Sequence, residues 1–280
     1  MQKAIKKYFP IFCLPTLIAF TIGFLVPFIM GLCLSFCNFK TVTDAQFVGL
    51  SNYVKVFGDP GFVHSLWFTA LFALVSIVVI NVLAFAVALL LTKEFRGTSL
   101  FRTVFFMPNL IGGIVLGYIW QLIFNGILAY FSKTLTFSPV FGFWGLVILM
   151  CWQQVGYMMI IYIAGLQSIP TDLYEAARID GATPSQRLFR ITLPMSMPSI
   201  TICTFLTLTN SFKLFDQNLA LTAGAPSDKT EMLALNIFNT FYSRIGWEGV
   251  GQAKAVIFFL LVAVLVLFQL RVTRNKEVQQ

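Results

Sequence analysis

The most polar of the apolar stretches in this sequence covers residues 199–222, SITICTFLTLTNSFKLFDQNLALT. Read as a helix at 100° per residue, it places a row of hydroxyl and amide groups on one face. That row comprises Thr204, Thr207, Ser211 and Asn218, with Asn210 to one side. Such groups can hydrogen-bond a polar solute, and they can equally bind neighbouring helices. A helix that is polar on several sides should not face lipid, so we expect this one to lie inside a helical assembly.

Lys213 and Asp216 add two charges to the same stretch. Each charge near the centre of a bilayer costs roughly 2.5–3.5 kcal/mol on insertion scales, so both side chains need partners. Their i, i+3 spacing permits a salt bridge along one helix face. The pair could hold neighbouring helices together or contact a solute directly, and the spacing leaves both roles open.

Two other apolar stretches contribute amide and aromatic side chains. Gln121 lies in the third stretch, and Gln153, Gln154 and Tyr157 lie in the fourth. Amides can bond to the hydroxyl groups of a solute while an aromatic ring stacks on its apolar face. Tyrosine is also common as an anchor at the membrane interface. We predict these residues as part of a solute pathway, with the anchoring role as the alternative.

Catalytic chemistry is not indicated by any motif. No G-x-x-x-x-G-K-[ST] phosphate loop occurs, which excludes the usual mode of ATP binding. His64 is the single histidine and has no acidic or cysteine companion at triad or ligand spacing. The five cysteines lie in or at the ends of apolar stretches, where a thiol packs as a small hydrophobe. We therefore predict no enzyme activity, no catalytic residues and no metal site.

The elements that must position these residues are membrane helices. Of the 280 residues, 58% are hydrophobic and 11% are charged, and the mean hydropathy is +0.84. A helix needs about 20 apolar residues to cross the hydrocarbon core of a bilayer. Six stretches qualify, at residues 11–36, 66–91, 103–125, 143–167, 199–222 and 253–270. They predict an all-α, multi-pass integral membrane protein with six transmembrane helices in a single domain spanning residues 1–280.

The basic residues predict how the chain is oriented. Twelve Lys and Arg residues lie at the N-terminus, in the second and fourth loops and in the C-terminal tail, whereas six lie in or beside the other three loops. Because cytoplasmic loops carry the excess of positive charge, both termini should be cytoplasmic. This bias accounts for the net charge of +8, so we expect no nucleic-acid partner.

A long polar segment at residues 168–197 falls on the predicted cytoplasmic side. Asp172 and Glu175 suit the positive end of a short helix that begins near Thr171. Gly181 should end that helix, since glycine is the residue most often found just past a helix C-terminus.

A second short helix should follow directly. Thr183 and Gln186 have the spacing of a capping box, and Pro184 occupies the favoured first helical position. The helix should stop before Pro194. Helices of one or two turns are marginal alone in water, so the segment is either a docking element that packs against a partner or a simple connector.

The segment contains E-A-A, three residues, Gly, nine residues, Ile, one residue and Leu-Pro. This spacing resembles the signature loop of permease subunits of binding-protein-dependent ABC importers. The stretches FVGLSNYVKVF, FRTVFFMPNLI, AGLQSIPTDLYEAA and SFKLFDQNLALTAGAP are similar to the maltose, glycerol-phosphate and raffinose (multiple-sugar) class, and to the first of its two sister permeases. The resemblance implies that residues 168–197 form a cytoplasmic coupling loop. Its implied ATPase-coupling residues are Asp172, Leu173, Glu175, Ala176, Ala177, Asp180, Gly181, Ile191, Leu193 and Pro194.

The same resemblance implies the type I ABC importer permease fold and a place in the cytoplasmic membrane. It implies a sister permease subunit, two ATPase subunits, an extracytoplasmic solute-binding protein and a carbohydrate substrate. ATP and Mg would bind to the ATPase subunits, with no cofactor on this chain. Glycerol phosphate or a polyol is an alternative substrate. A self-sufficient secondary carrier and a channel are the rival classes, although no repeat between halves is visible as in many carriers.

Overall fold

The computed structural model describes residue 9 and residues 13–93 and 96–274. The described chain is helical apart from one two-stranded ribbon, as the composition predicts. It packs as two compact units. Among the described residues, the first unit contains those up to Phe62 together with Ile237–Phe259, and the second contains those from Val63 to Asn236 together with those from Leu260 onward.

The elements follow one another in a mostly helical order. The first part of the chain contains α1 (Cys13–Leu34, with a π-helical turn at Thr21–Leu25), β1 (Cys37–Asn38), β2 (Gln46–Phe47), α2 (Ser51–Phe57) and α3 (Pro60–Leu91). The middle contains α4 (Thr98–Phe106), α5 (Gly113–Ala129), α6 (Pro139–Gln167), α7 (Thr171–Ile179) and α8 (Pro184–Met195, with a π-helical turn at Leu188–Thr192). The last part contains α9 (Met197–Phe212), α10 (Asp216–Leu221), α11 (Leu233–Ser243) and α12 (Glu248–Arg274).

The described helices agree with the predicted membrane spans in four places. Helices α1, α3, α6 and α12 correspond to the predicted stretches 11–36, 66–91, 143–167 and 253–270, and each is long and apolar enough to cross a membrane. Two bent pairs of helices would raise that number to six if each pair were one span. Residues 11 and 12 lie outside the described residues, as do four of the basic residues used for orientation: Lys3, Lys6, Lys7 and Lys276.

The stretch predicted as a continuous third span is broken. Thr98–Leu110 and Gly113–Ala129 meet at an angle of 102°. Pro108 lacks the amide hydrogen that a helix interior requires, and Gly112 is extended, with φ −60° and ψ 139°. The single span predicted at residues 103–125 is therefore two helices.

The stretch predicted as the fifth span is interrupted as well. Helix α8 meets α9 at an angle of 67°, and α9 itself ends at Phe212. The chain becomes helical again at Asp216, whose carboxylate lies in the first turn of α10. Negative charge is favourable at that position because the N-terminus of a helix carries partial positive charge. Residues 199–222 thus form two helices rather than one.

Helix α6 forms the centre of the second unit. Its side chains Leu146, Leu149, Met158 and Met159 are fully buried in the apolar core of that unit. Gly156 lets helix α4 approach closely, because a β-carbon there would overlap the carbonyl oxygen of Phe105. The helix is therefore the scaffold against which the interrupted spans pack.

In the first unit, the ribbon is antiparallel, with Cys37 opposite Phe47. Asn52 of α2 is buried and donates hydrogen bonds to the carbonyl oxygens of Ser35 (2.9 Å) and Cys37 (2.8 Å). This one amide joins α2 to the chain that follows α1.

A buried ion pair lies elsewhere in the first unit. The Asp59 carboxylate accepts hydrogen bonds from Lys254 Nζ at 2.7 Å and Arg244 Nη1 at 3.2 Å. Lys254 is fully buried and also donates to Thr240 Oγ1 at 2.7 Å. Burial by itself would raise the pKa of the Asp59 carboxyl, but the hydrogen bond and charge of Lys254, with the charge of Arg244, hold that pKa below its ordinary value. The pair therefore connects the start of α3 to α11 and α12.

We predict that Asp59→Asn and Lys254→Met will each lower the free energy of unfolding by about 3–5 kcal/mol. Asp59→Asn leaves the buried Lys254 ammonium without its carboxylate, and Lys254→Met leaves the Asp59 carboxylate with only the half-exposed Arg244 as a charged partner. The double variant should recover much of the loss. The check is the thermal unfolding midpoint of the purified protein in detergent. Since the pKa of Asp59 is lowered on folding, its contribution should be complete above about pH 3.9 and should be lost as the pH falls through the folded value. Single variants as stable as the parent would contradict the prediction.

Candidate functional site

The polar segment predicted at residues 168–197 forms two short helices with a tight turn between them. Asp172 lies in the first turn of α7 and Arg178 in its last turn, as the helix dipole favours. Helix α7 ends at Ile179, which confirms that Gly181 lies just beyond the helix, and Gly181 has the left-handed φ of +73°. The amide of Ala182 donates to the carbonyl of Ala177 at 2.9 Å and closes the end of the helix.

The predicted capping box is confirmed at the start of α8. The Thr183 hydroxyl accepts from the backbone N–H of Gln186 at 3.3 Å, and Gln186 Oε1 accepts from the backbone N–H of Thr183 at 2.8 Å. The predicted end of the helix before Pro194 is wrong. Pro194 lies inside the last turn, after the chain has widened into the π-helical turn at Leu188–Thr192.

One hydrogen bond attaches α7 to α8. Tyr174 Oη and Thr192 Oγ1 lie 3.1 Å apart, and Thr192 is buried. Because both helices are capped and joined by this contact, the segment has a defined shape although each helix is short.

The outer surface of the segment is apolar at several points. Ile179 is 86% exposed and Phe189 is 64% exposed, which is unusual in a loop so rich in charged residues. A groove of about 360 Å³ lies between α7 and α8 and is lined by Ala177, Gly181 and Arg190 among others.

The predicted coupling residues divide into three groups on this surface. Asp172, Leu173, Glu175 and Ala176 are exposed on α7. Ala177, Asp180, Gly181 and Ile191 line the groove. Leu193 and Pro194 are partly buried at the far end of α8. The first group is therefore accessible on α7, and the second group lines the groove between α7 and α8.

A second cluster of polar residues lies along α6 and α9. Asn210 Nδ2 donates to Gln154 Oε1 at 3.3 Å, and both residues are partly exposed. Thr204 and Tyr157 are also partly exposed, and the Tyr157 ring lies 6.5 Å from that of Phe106. These four residues can still contact a solute.

Three residues of the predicted polar face do not line a surface. Thr207, Ser211 and Asn218 are fully buried. Thr207 and Ser211 donate to carbonyl oxygens one turn earlier in their own helix, at 2.8 and 2.7 Å. Hydroxyls satisfied in this way are compatible with close helix packing, so these side chains face the interior of the second unit.

Asn218 organises the loop that follows α10. Its Nδ2 donates to the carbonyl of Thr230 at 2.8 Å, and its Oδ1 accepts from the backbone N–H of Met232 at 2.9 Å. Gln121 acts nearby in a comparable way, because its Nε2 donates to the carbonyl of Leu221 at 3.1 Å. Both amide side chains therefore form hydrogen bonds to the backbone.

The predicted salt bridge between Lys213 and Asp216 is wrong. In the part of the chain that the structure describes, the two side chains are exposed and form no ion pair with each other. The i, i+3 geometry requires a continuous helix, and the helix is interrupted between these residues. The two charges therefore lie on either side of a break.

Sequence reasoning missed a contact between α5 and α10. A β-carbon at Gly113 would lie 2.7 Å from Cβ of Asp216, and one at Gly117 would lie 2.6 Å from Cβ of Ala220. The G-x-x-x-G spacing in an apolar run was the available signal, because small residues four apart let helices approach closely in membranes.

Within the described residues, no group of three or more His, Cys, Asp or Glu side chains could hold a metal ion.

Comparison with known proteins identifies components of transport systems as relatives of this chain. The profile of the family described as binding-protein-dependent transport system inner membrane component matches residues 80–277. The chain is 44% identical over 277 residues to the probable starch degradation products transport system permease protein AmyD of Thermoanaerobacterium thermosulfurigenes, covering 96% of this chain and 94% of that protein. It is 32% identical over 289 residues to the multiple sugar-binding transport system permease protein MsmF of Streptococcus mutans, covering 99% of each.

A solved structure has a similar fold over nearly the whole chain. It is the crystal structure of a bacterial alginate ABC transporter in complex with an alginate pentasaccharide-bound periplasmic protein. The TM-score is 0.81 at 20% identity, with 98% of this chain and 97% of that chain covered.

We predict that Thr183→Ala will make residues 181–190 more sensitive to proteolysis, because loss of an N-cap costs about 0.5–2 kcal/mol of helix stability. Ser185→Ala is the matched control, since Ser185 is exposed in the same turn. The measurement is the rate of limited proteolysis of the purified protein. Equal cleavage rates for the two variants would show that the cap does not order the segment.

Proposed function

Because this chain belongs to the family of binding-protein-dependent transport system inner membrane components, we propose that it is the permease subunit of an ATP-driven carbohydrate importer. It has the fold of type I ABC importer permeases. Members of this family are transport components rather than enzymes. The observation that carries the proposal is the capped segment at residues 171–195, which presents an open, partly apolar face beside the membrane helices.

An oligosaccharide is the substrate that we propose. The relative with 44% identity is named for starch degradation products, and the one with 32% identity is named for multiple sugars. Neutral amides and hydroxyls, such as those of Asn210, Gln154 and Thr204, suit the hydroxyl groups of a sugar.

The proposed topology has six spans and both termini in the cytoplasm, and α8 lies outside the membrane, so that of the bent pair α8 and α9 only α9 belongs to a span. The excess of Lys and Arg at the termini and in the second and fourth loops supports this orientation. Residues 168–197 then form a cytoplasmic coupling loop.

The coupling loop is proposed to dock into a groove on an ATPase subunit. Ile179 and Leu173 supply exposed apolar surface on α7, and Ala176 and Ala177 allow a partner to approach the backbone closely. The caps at Gly181 and Thr183 keep the element rigid. A rigid element transmits the displacement of its partner, whereas a loose loop would absorb it.

The proposed assembly contains a sister permease, two ATPase subunits and an extracytoplasmic solute-binding protein. ATP and Mg would bind to the ATPase subunits. When ATP draws the ATPase subunits together, the coupling loops would move with them and favour the outward-facing state of the permease pair, and hydrolysis would return the pair to the inward-facing state.

The proposed solute pathway uses the partly exposed residues of the second cluster. Asn210 and Gln154 already pair with one another, so a sugar hydroxyl could replace either partner. Thr204 and Tyr157 lie on the same two helices. Thr207, Ser211 and Asn218 are proposed to support these helices from behind, since they are buried.

Gly181→Val tests the coupling role. A β-branched residue resists the left-handed conformation, and a cost of roughly 1–2 kcal/mol should weaken ATPase association about 5- to 30-fold. Gly181→Asn is the matched control, because asparagine tolerates that conformation and no atom lies within 4 Å of an added β-carbon. The measurements are copurification of the ATPase, ATP-driven sugar uptake in proteoliposomes, and the amount of the chain in the membrane.

Two results would contradict the proposed function. One is normal uptake and normal ATPase association by the Gly181→Val variant. The other is sugar transport by the purified chain alone on a proton or sodium gradient, which is the behaviour of a secondary carrier.

Asn210→Leu tests the pathway. Loss of one hydrogen bond should raise the KM for oligosaccharide about 2- to 10-fold, because a net hydrogen bond contributes about 0.5–1.5 kcal/mol. Thr209→Val is the control, since the Thr209 hydroxyl donates only to carbonyl oxygens of its own helix. Concentration-dependent uptake of maltose-type oligosaccharides by the complete assembly measures both KM values. Equal KM values for the two variants would exclude Asn210 from the pathway.

A further inference from the structure

Two of the predicted spans are interrupted, and each interruption frees backbone groups from helical hydrogen bonds. The first break lies between α4 and α5 at Ile111 and Gly112, and the second lies between α9 and α10 at residues 213–215. In a membrane, a backbone carbonyl without a partner costs several kcal/mol. Breaks of this kind therefore persist only where the protein itself supplies the missing partners.

Gln153 of α6 binds both interrupted spans, at the first break and just beyond the second. Its Nε2 donates to the carbonyl oxygen of Ile111 at 3.3 Å, and its Oε1 accepts from Nε2 of Gln217 at 2.8 Å. Gln217 is the second residue of α10. The Nε2 group of Gln153 thus bonds to the interrupted third span, and its Oε1 atom bonds to the interrupted fifth span.

The two helices beyond the breaks also pack tightly against each other. Gly113 and Gly117 of α5 leave no space for a β-carbon opposite Asp216 and Ala220 of α10. At the far end, Gln121 Nε2 donates to the carbonyl that ends α10, that of Leu221. Helix α10 is therefore attached to α5 along its whole length of six residues.

These contacts make α5 and α10 a single packed body. It also packs against α6, where Gly145 lies beside Leu221 and Trp152 beside Trp120, and Gln153 adds a hydrogen bond from α6 to Gln217 of α10. The chain that enters this body on either side is not helical at the breaks, so backbone rotation is available there. We infer that Gln153 is a positioning residue: it fixes the α5–α10 body on α6, so that both interrupted spans move together when the transporter changes state. This inference rests on the proposed transport function.

Burial separates this role from direct contact with a sugar. Gln153 is 6% exposed, and both ends of its amide are already bonded. Gln154, the next residue, is partly exposed and bonds to Asn210. The two neighbouring glutamines thus have different tasks, and their substitution should change different kinetic constants.

The test uses the complete assembly, with sister permease, ATPase subunits and solute-binding protein, in proteoliposomes. Gln153→Leu removes both hydrogen bonds at similar volume, and sugar transported per ATP hydrolysed should fall about tenfold, within the range typical of coupling between sites. Its KM should stay within about twofold of the parent value, since the residue does not touch the solute. Gln154→Leu should instead raise the KM with little change in the transport-to-hydrolysis ratio.

Gln217→Leu provides a second variant that keeps the bond from Gln153 to Ile111 intact. It should lower the same ratio, and the double variant Gln153→Leu/Gln217→Leu should be no worse than Gln153→Leu, because the two residues share one interaction. If Gln153→Leu fails to assemble, the transport-to-hydrolysis ratio of the Gln217→Leu assembly tests the inference by itself.

The inference is overturned if Gln153→Leu raises the KM while the transport-to-hydrolysis ratio is unchanged, or if that ratio is unchanged in both single variants. Such results would leave the transport function standing, because the parent assembly would still couple hydrolysis to uptake. Failure of the parent assembly to couple them at all would overturn the proposed function itself.

Discussion

Every backbone N–H and C=O group in the hydrocarbon layer must find its partner within the protein, and the interrupted helices of this chain depend on that requirement. Continuous helices such as α3 and α6 satisfy it internally. Where the chain bends by 102° near Ile111, Gln153 donates a hydrogen bond to the carbonyl oxygen of Ile111. The same amide accepts from the side chain of Gln217, so one residue connects the two interrupted spans.

This requirement also explains where the polar side chains point. A hydroxyl in a membrane helix can bond to a carbonyl one turn earlier, and Thr207 and Ser211 do so. The hydroxyl of such a side chain already has a hydrogen-bond partner, so it can be fully buried away from solute and water. Polar residues on a membrane helix therefore separate into those that support the backbone and those, such as Asn210 and Gln154, that keep a partly exposed face.

A different constraint shapes the polar segment outside the helices. Short helices lose more conformational entropy than their own hydrogen bonds return, so caps and contacts between the helices are needed to order them. Gly181 closes α7 and Thr183 opens α8, while Tyr174 joins them through Thr192. The result is a rigid element with exposed apolar residues, which is the form that a transmitting contact between subunits requires.

The sequence by itself determined the helical class, most of the apolar spans, the turn at Gly181 and the capping box at Thr183, because each depends on residues close together in the chain. The spacing of the loop also indicated the family. Only the tertiary structure decided that Gln153 is buried while Gln154 is not. It also decided that Lys213 and Asp216 form no salt bridge with each other, and that α10 packs against α5. Helical periodicity predicts which residues share a face, but it does not specify the neighbour on that face. The partners of Gln153 lie 42 and 64 residues away along the chain, and only folding brings them within hydrogen-bond distance.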